Sequence, residues 1–268
     1  MMTFAVLILI LTFGATCGQL FPREARAPAT LDMAEMSVDD QYLSCTKKMS
    51  QLVENTYLEK ERKTTKDFNA AWSKGEKWCS SNKKGNDLGE INYCIALYVY
   101  TLLDPPIYKD FNRATRGGKT QYTRKTYHWY SLHFLLTRAV QVLKDREKQR
   151  GTQCRLTYRG NGFEFVKDVQ NKEIRFGSFS SSSIDQKVAK GFGAVSCFEI
   201  TTCHGAYIED YSANPAQEEV LIPSYETFKV TEISTRKTTP DLWCNTVYKL
   251  ESSGIKSNLK CALAPKQA

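Results

Sequence analysis

Three short stretches carry residues whose types suit chemistry on a charged or sugar-bearing substrate. In Gln217-Glu218-Glu219-Val220-Leu221-Ile222-Pro223, carboxylates run into an apolar, β-branched segment that reads as a strand. Residues two apart share a strand face, so Gln217 and Glu219 are expected on one side, with Glu218, Val220 and Ile222 on the other. A carboxylate fixed on a strand is held rigidly and can oppose positive charge that develops in a reaction. In Tyr158-Arg159-Gly160, the planar fork of the arginine matches phosphate oxygens, and the glycine permits close backbone approach. In Phe179-Ser180-Ser181-Ser182-Ser183, hydroxyls at a strand end can orient a sugar or a carboxylate. Taken singly these are a solvated strand end, an exposed arginine and a polar linker. Their combination in this order sets them apart.

The elements that must position them divide near residue 150. The first half is helical. Tyr42, Cys45, Met49, Leu52 and Thr56 recur at helical spacing, with Ser37 and Asp39 as candidate caps. A second helix is expected over Thr65 to Trp78. Ile91 to Leu103 is apolar nearly all round, hence buried, and Asp104-Pro105-Pro106 stops it. Thr126 to Arg150 is the longest helix. The second half alternates. Cys154, Leu156 and Tyr158 face one way; Arg155, Thr157 and Arg159 face the other. Further strands are expected at Ile174 to Ser180, Ala194 to Thr201, Ala206 to Asp210, Glu219 to Ile222, Thr227 to Ile233 and Asn245 to Glu251. Ser183 is expected to cap a short helix from Ile184 to Lys190. Strand after strand with short turns implies antiparallel pairing, so the fold class is α+β.

The 268-residue chain is 41% hydrophobic and 25% charged, an ordinary globular composition, with a net charge of +8. That charge favours anionic partners. Its Lys and Arg residues are dispersed, with no block of the kind that binds nucleic acid. The apolar run Phe4 to Leu11, followed by small residues, reads as a signal peptide over residues 1–18. A leader with a candidate cleavage pattern at Arg23 to Arg26 follows over 19–37. The remainder, 38–265, is read as one domain with a helical part (38–150) and a β-rich part (151–265). The eight cysteines beyond Cys17 suit disulfides in a secreted chain, and spacing alone leaves their pairing open. No zinc-ribbon spacing occurs. His128 and His133 are five apart, off the spacing of two ligands on one helix face, and they read as structural or surface residues. No metal is expected. The last residues lack the apolar tail of a lipid-anchor signal, so no membrane anchor is expected. A secreted ribonuclease would want paired acid–base histidines, and these have no evident placement.

With all three stretches in this order, the chain resembles the secreted and surface-anchored vertebrate mono-ADP-ribosyltransferases. That family uses an Arg, a Phe-x-Ser-Ser-Ser strand and a Glu-x-Glu motif running into Val-Leu-Ile-Pro. The resemblance extends over Val38-Asp39-Asp40-Gln41-Tyr42, Asp110-Phe111-Asn112-Arg113-Ala114 and Tyr207-Ile208. It implies an NAD co-substrate, with NADP as a variant, and arginine-bearing protein acceptors. Arg159 would hold a phosphate. Ser181 would position the nicotinamide ribose and support the glutamate. Glu219 would bond the ribose and stabilise the cation formed as nicotinamide leaves. Tyr100 and Ser212 would help line the NAD pocket, and Ser178 falls where some members carry Gln. The resemblance also implies disulfides Cys154–Cys203 and Cys45 with Cys244 or Cys261. One departure stands out: Gln217 occupies the acceptor-facing position at which arginine-modifying members carry Glu. A neutral amide is a poor base, so NAD hydrolysis is expected to gain on transfer to arginine. The remaining alternative is a catalytically idle binding protein that keeps the fold.

Overall fold

A computed structural model describes residues 27–261. The expected signal peptide and the Arg23–Arg26 pattern lie outside them. The helical half comes first. α1 (Thr46–Leu52), a π-helical turn (Val53–Tyr57) and α2 (Leu58–Thr64) form one unbroken rod. α3 (Lys66–Ser81), α4 (Ile91–Thr101), α5 (Ile107–Gly117), α6 (Lys119–Thr123) and α7 (Tyr130–Gln149) follow. α4 is buried along nearly its whole length, as its all-round apolar sequence requires. Pro105 and Pro106 do two things here. They end α4, and Pro106 then stands at the N-cap of α5, a helix absent from the sequence reading. α5 turns Ile107, Phe111 and Thr115 inward at i, i+4 spacing. Lys109, Arg113 and Arg116 take its other side.

The second half is one eight-stranded sheet. Its strands are β1 (Arg155–Asn161), β2 (Glu173–Ile174), β3 (Ser180–Ser183), β4 (Ser196–Thr202), β5 (Ala206–Tyr207), β6 (Glu219–Ile222), β7 (Glu226–Thr235) and β8 (Thr246–Ile255). They lie in the order β2-β7-β8-β4-β1-β3-β6-β5. All neighbours pair antiparallel except β4 and β8, which are parallel. The α+β expectation therefore holds. One apolar core lies inside the helical half and reaches Phe179, Ile208 and Leu221 of the sheet half. A second, around Phe198, Phe228 and Tyr248, fills the other side of the sheet. Helix α8 (Gln186–Gly191) packs on β1.

Several sequence expectations are corrected by tertiary partners. Ser37 and Asp39 cap no helix. α1 begins at Thr46, and Asp39 is instead buried in an ion pair with Arg175 at 2.6 Å. The expected strand over 174–180 splits in two, because Gly177 turns the chain at φ +70° with Ala34 packed where a Cβ would sit. Asp185, not Ser183, caps α8, accepting from the Lys187 amide. On β1 Leu156 is 51% exposed while Thr157 is fully buried, so at these positions the face expected to be polar is the inner one. The segment expected to be a leader up to residue 37 is already part of the fold by Ala29, which bridges to Phe165. His133 is structural: it accepts from or donates to the Tyr42 hydroxyl at 2.8 Å and meets the Val38 carbonyl at 3.0 Å. The disulfides are Cys45–Cys261, Cys79–Cys94, Cys154–Cys203 and Cys197–Cys244. This resolves the choice for Cys45 and agrees with the pairing of Cys154.

Arg175 also donates to the carbonyls of Met33, Ala34 and Lys256, and Asp39 accepts from the amides of Asn258 and Leu259. Removing one partner strands a buried charge, which costs about 3–5 kcal/mol. Asp39→Ala is expected to lower stability by that amount in urea denaturation. The double variant Asp39→Ala/Arg175→Met is expected to lose less than the sum of the two single changes.

Candidate active site

The site lies where the sheet opens between β1 and β3. Those strands share one paired position, Tyr158 with Ser183, whereas β1 and β4 pair along their full length. The Arg159 side chain reaches across the gap and donates from Nη1 to the Ser181 carbonyl. On the far side, β3 and β6 pair in register, with Ser183 opposite Glu219 and Ser181 opposite Leu221. Residues directly opposite project to the same face, and so do residues two apart on a strand. Ser181, Ser183 and Glu219 therefore share one face. Arg159, Ser181 and Glu219, widely separated in sequence, arrive on three adjacent strands.

The start of β3 is fixed from the helical half. Phe179 is buried against Tyr100, Phe111 and His133, with ring centroids 5.6 to 6.2 Å apart. The Tyr100 hydroxyl donates to the Phe179 carbonyl at 3.2 Å and accepts from Asn112 at 3.0 Å. Gly160 is needed for close approach, as its sequence context suggested. What approaches is the chain itself: a Cβ there would sit 2.3 Å from the Ala189 carbonyl oxygen at the end of α8.

A cleft of about 660 Å³ opens over these strands and is lined by Tyr100, Arg159, Ser181, Gln217 and Glu219 together. Two of the expected NAD contacts are elsewhere. Ser178 is buried below the surface, where it accepts from Arg116 at 3.0 Å. Ser212 is buried and accepts from the Asn214 amide at 2.9 Å, shaping the turn that leads to Gln217. Sequence reading missed the opposite wall: Lys109, Asn112, Arg113 and Arg116 of α5. Their signal was present, because Lys109, Arg113 and Arg116 recur at i, i+4 and i+7, a basic stripe along one helix side. Arg113 is ion-paired with Asp110, one residue from Lys109.

Glu219 is buried, and its Oε1 has no hydrogen-bond partner. Burial pushes its pKa up to about 7, against the opposing pull of the Ser181 hydroxyl and the Arg159 cation. Burial likewise lowers the Arg159 pKa, with Tyr100 and Glu219 opposing. β6 begins at Glu219 as expected, but Gln217 does not share its strand face. Pro215–Gln217 is a 3-10 turn, Glu218 is left-handed at φ 46°, and β6 starts at Glu219. Gln217 and Glu219 still line one cleft, and Glu218 does not. The turn is tied to the end of α4: Thr101 Oγ1 accepts from the Ala213 amide at 2.8 Å, and its carbonyl accepts from Asn214 Nδ2 at 2.7 Å. A buried carboxylate with one unpartnered oxygen, in a cleft also lined by Arg159, Lys109, Arg113 and Arg116, can hold an anionic ligand whose reacting centre becomes positive. Among the described residues no group of three or more His, Cys, Asp or Glu side chains could hold a metal. No described helix is long and apolar enough to cross a membrane.

Comparison with known proteins identifies the family. The chain is 32% identical over 242 residues to an erythroblast NAD(P)(+)–arginine ADP-ribosyltransferase of Gallus gallus, covering 85% of this chain and 76% of the relative. It is 32% identical to ecto-ADP-ribosyltransferase 5 of Bos taurus over 83% of this chain and 72% of that one. The eucaryotic mono-ADP-ribosyltransferase ART2.2, crystallised as a mutant with NADH, superposes with a TM-score of 0.70 at 31% identity, over 87% of this chain and 99% of that one. The family model described as NAD:arginine ADP-ribosyltransferase matches residues 31–249. The chain belongs to the NAD:arginine ADP-ribosyltransferase family.

Proposed function

We propose that this protein cleaves NAD to nicotinamide and ADP-ribose, passing the ADP-ribose to a protein arginine or to water, and that it acts outside the cell or in a secretory lumen. The buried Glu219 carboxylate, with one oxygen unpartnered at the floor of a cationic cleft, carries the reading. Arg159, Arg113 and Arg116 supply charge for the pyrophosphate. Ser181 and Tyr100 position the nicotinamide-bearing ribose. As the glycosidic C–N bond breaks, its electron pair leaves with nicotinamide and the ribose carbon becomes oxocarbenium-like. Glu219, held on β6 and shielded from water, opposes that charge. The nucleophile, a guanidinium nitrogen or a water oxygen, then bonds to that carbon and loses a proton. The extracellular setting rests on the four disulfides among the described residues.

Gln217 favours a second emphasis within this chemistry. An acceptor guanidinium is protonated up to a pKa of about 12 or more, so its attack needs a group to take the proton. Gln217 lines the cleft but offers only an amide. Hydrolysis therefore gains relative to transfer.

Three outcomes test the reading. Glu219→Gln is expected to cut nicotinamide release by about 100- to 1,000-fold, the usual effect of deleting one electrostatic group at a developing charge. Its thermal midpoint should be unchanged or higher, because a buried carboxylate has been neutralised; near-normal turnover would refute the assignment. The kcat/KM for NAD is expected to rise with pH through about 7, since only the ionised form of Glu219 stabilises a cation. A flat profile from pH 5 to 9 would count against Glu219 as that group. Gln217→Glu should raise ADP-ribosyl-agmatine formation relative to free ADP-ribose, measured in one reaction by chromatography. An unchanged ratio would remove Gln217 from the acceptor side.

A further inference from the structure

The sheet face that carries Glu219 does not end at the cleft. The pairing register runs directly from Glu219 to Ser183, Tyr158, Glu199 and Lys249 across β6, β3, β1, β4 and β8. Paired residues project from the same face, so these side chains form one row. The helical half covers the row at Glu219 and leaves it open from Tyr158 onward. Tyr158 and Glu199 are half-buried, Lys249 is exposed, and the neighbouring Leu156 is 51% exposed. Trp243, from the loop between β7 and β8, closes the far side. Its indole Nε1 donates to Glu199 Oε1 at 3.1 Å, and its ring meets Tyr158 edge-on with centroids 6.0 Å apart. Lys249, opposite Glu199 in register, gives its ammonium to Glu232 at 2.7 Å. Glu199 Oε2 has no hydrogen bond from a described residue.

A carboxylate fixed by an indole, with two aromatic rings beside it, is a receptor for a cationic side chain. Tyr158 also lines the cleft, so this receptor is continuous with the candidate active site. We infer that Glu199, Tyr158 and Trp243 form a docking subsite for a second basic residue of the acceptor polypeptide, alongside the arginine that reacts. The inference rests on the arginine-transfer reading and adds a sequence preference to it. Three strand spacings of about 4.8 Å separate Glu219 from Glu199, roughly 14 Å along the sheet. An extended chain covers that in about four residues. The preferred acceptor then carries Lys or Arg about four positions from its reacting arginine.

Two measurements separate this subsite from the reading beneath it. Agmatine labelling reports arginine transfer alone, because the butyl chain joining agmatine's ammonium to its guanidinium is too short to span the roughly 14 Å between Glu219 and Glu199. Affinity for fluorescein-labelled peptides, read by anisotropy, reports docking alone. Peptides with one arginine would be compared with peptides bearing a lysine four residues before or after it. At least one dibasic peptide should bind about tenfold more tightly than its monobasic parent. Glu199→Gln, which keeps the contact with Trp243, should erase that advantage while leaving agmatine labelling and nicotinamide release in water unchanged. Glu199→Lys should make the dibasic peptide the weaker one. Equal affinity of all peptides for the unmodified protein would overturn the inference. So would a dibasic advantage that survives Glu199→Gln. A concentration-dependent dimer dispersed by Glu199→Lys would assign the face to a second copy of the chain and overturn it as well.

Discussion

The buried pair between Arg175 and Asp39 is the constraint on which the site depends. Desolvating two charges costs several kcal/mol each, and only a dense set of further hydrogen bonds offsets that. Here the set comes from three places: the carbonyls of Met33 and Ala34, the carbonyl of Lys256, and the amides of Asn258 and Leu259. The pair therefore knots the first and last described segments onto the chain just before β3. The Cys45–Cys261 disulfide closes the same region covalently. Beyond Arg175, Phe176 packs on the sheet core, Gly177 turns, and Phe179 enters the helical core. Ser181 sits two residues further on. Its position is set by both cores at once, which a loop anchored at one end could not achieve.

The same rigidity bears on how Glu219 combines burial with the role proposed for it. A carboxylate removed from water is harder to ionise, yet once ionised it acts through a low dielectric and opposes a nearby cation more strongly. Arg159 and Ser181 recover part of the ionised population without filling both oxygens. What remains is a carboxylate poised near neutrality and short of one partner. In the proposed reaction the ribosyl cation is that partner, so the stabilisation is greatest when the charge develops rather than beforehand.

Local pattern and tertiary context contributed differently to what could be read in advance. β6 is found where its β-branched run placed it, and α4 ends near its Asp-Pro-Pro stop, because both are decided by side chains within the element. The three chemical stretches were legible for the same reason. What failed was decided at a distance. Asp39 reads as a cap until its partner 136 positions away is known. In the sequence Asp104-Pro105-Pro106 reads as a terminator and hides α5, although proline equally starts helices and Pro106 stands at the N-cap of this one. With it go Lys109, Arg113 and Arg116, the three cations of the wall opposite the strands. Ser178 and Ser212 were placed in the pocket by resemblance, but their hydroxyls serve Arg116 and a turn.

That Gln217 lies in a turn outside β6 has a mechanistic consequence. Had Gln217 and Glu219 lain on one strand, any change that moved one would have moved the other. Instead a left-handed residue, Glu218, separates a turn from a strand. The turn is anchored to α4 through Thr101, and the strand is anchored to β3. In the proposed chemistry, Glu219 governs how the ribosyl cation forms, and Gln217 stands on the side from which it is attacked. Two separate anchors let the attacking side vary while bond cleavage stays fixed. On that proposal a neutral residue at 217 changes the acceptor half and leaves Arg159, Ser181 and Glu219 in place for bond cleavage.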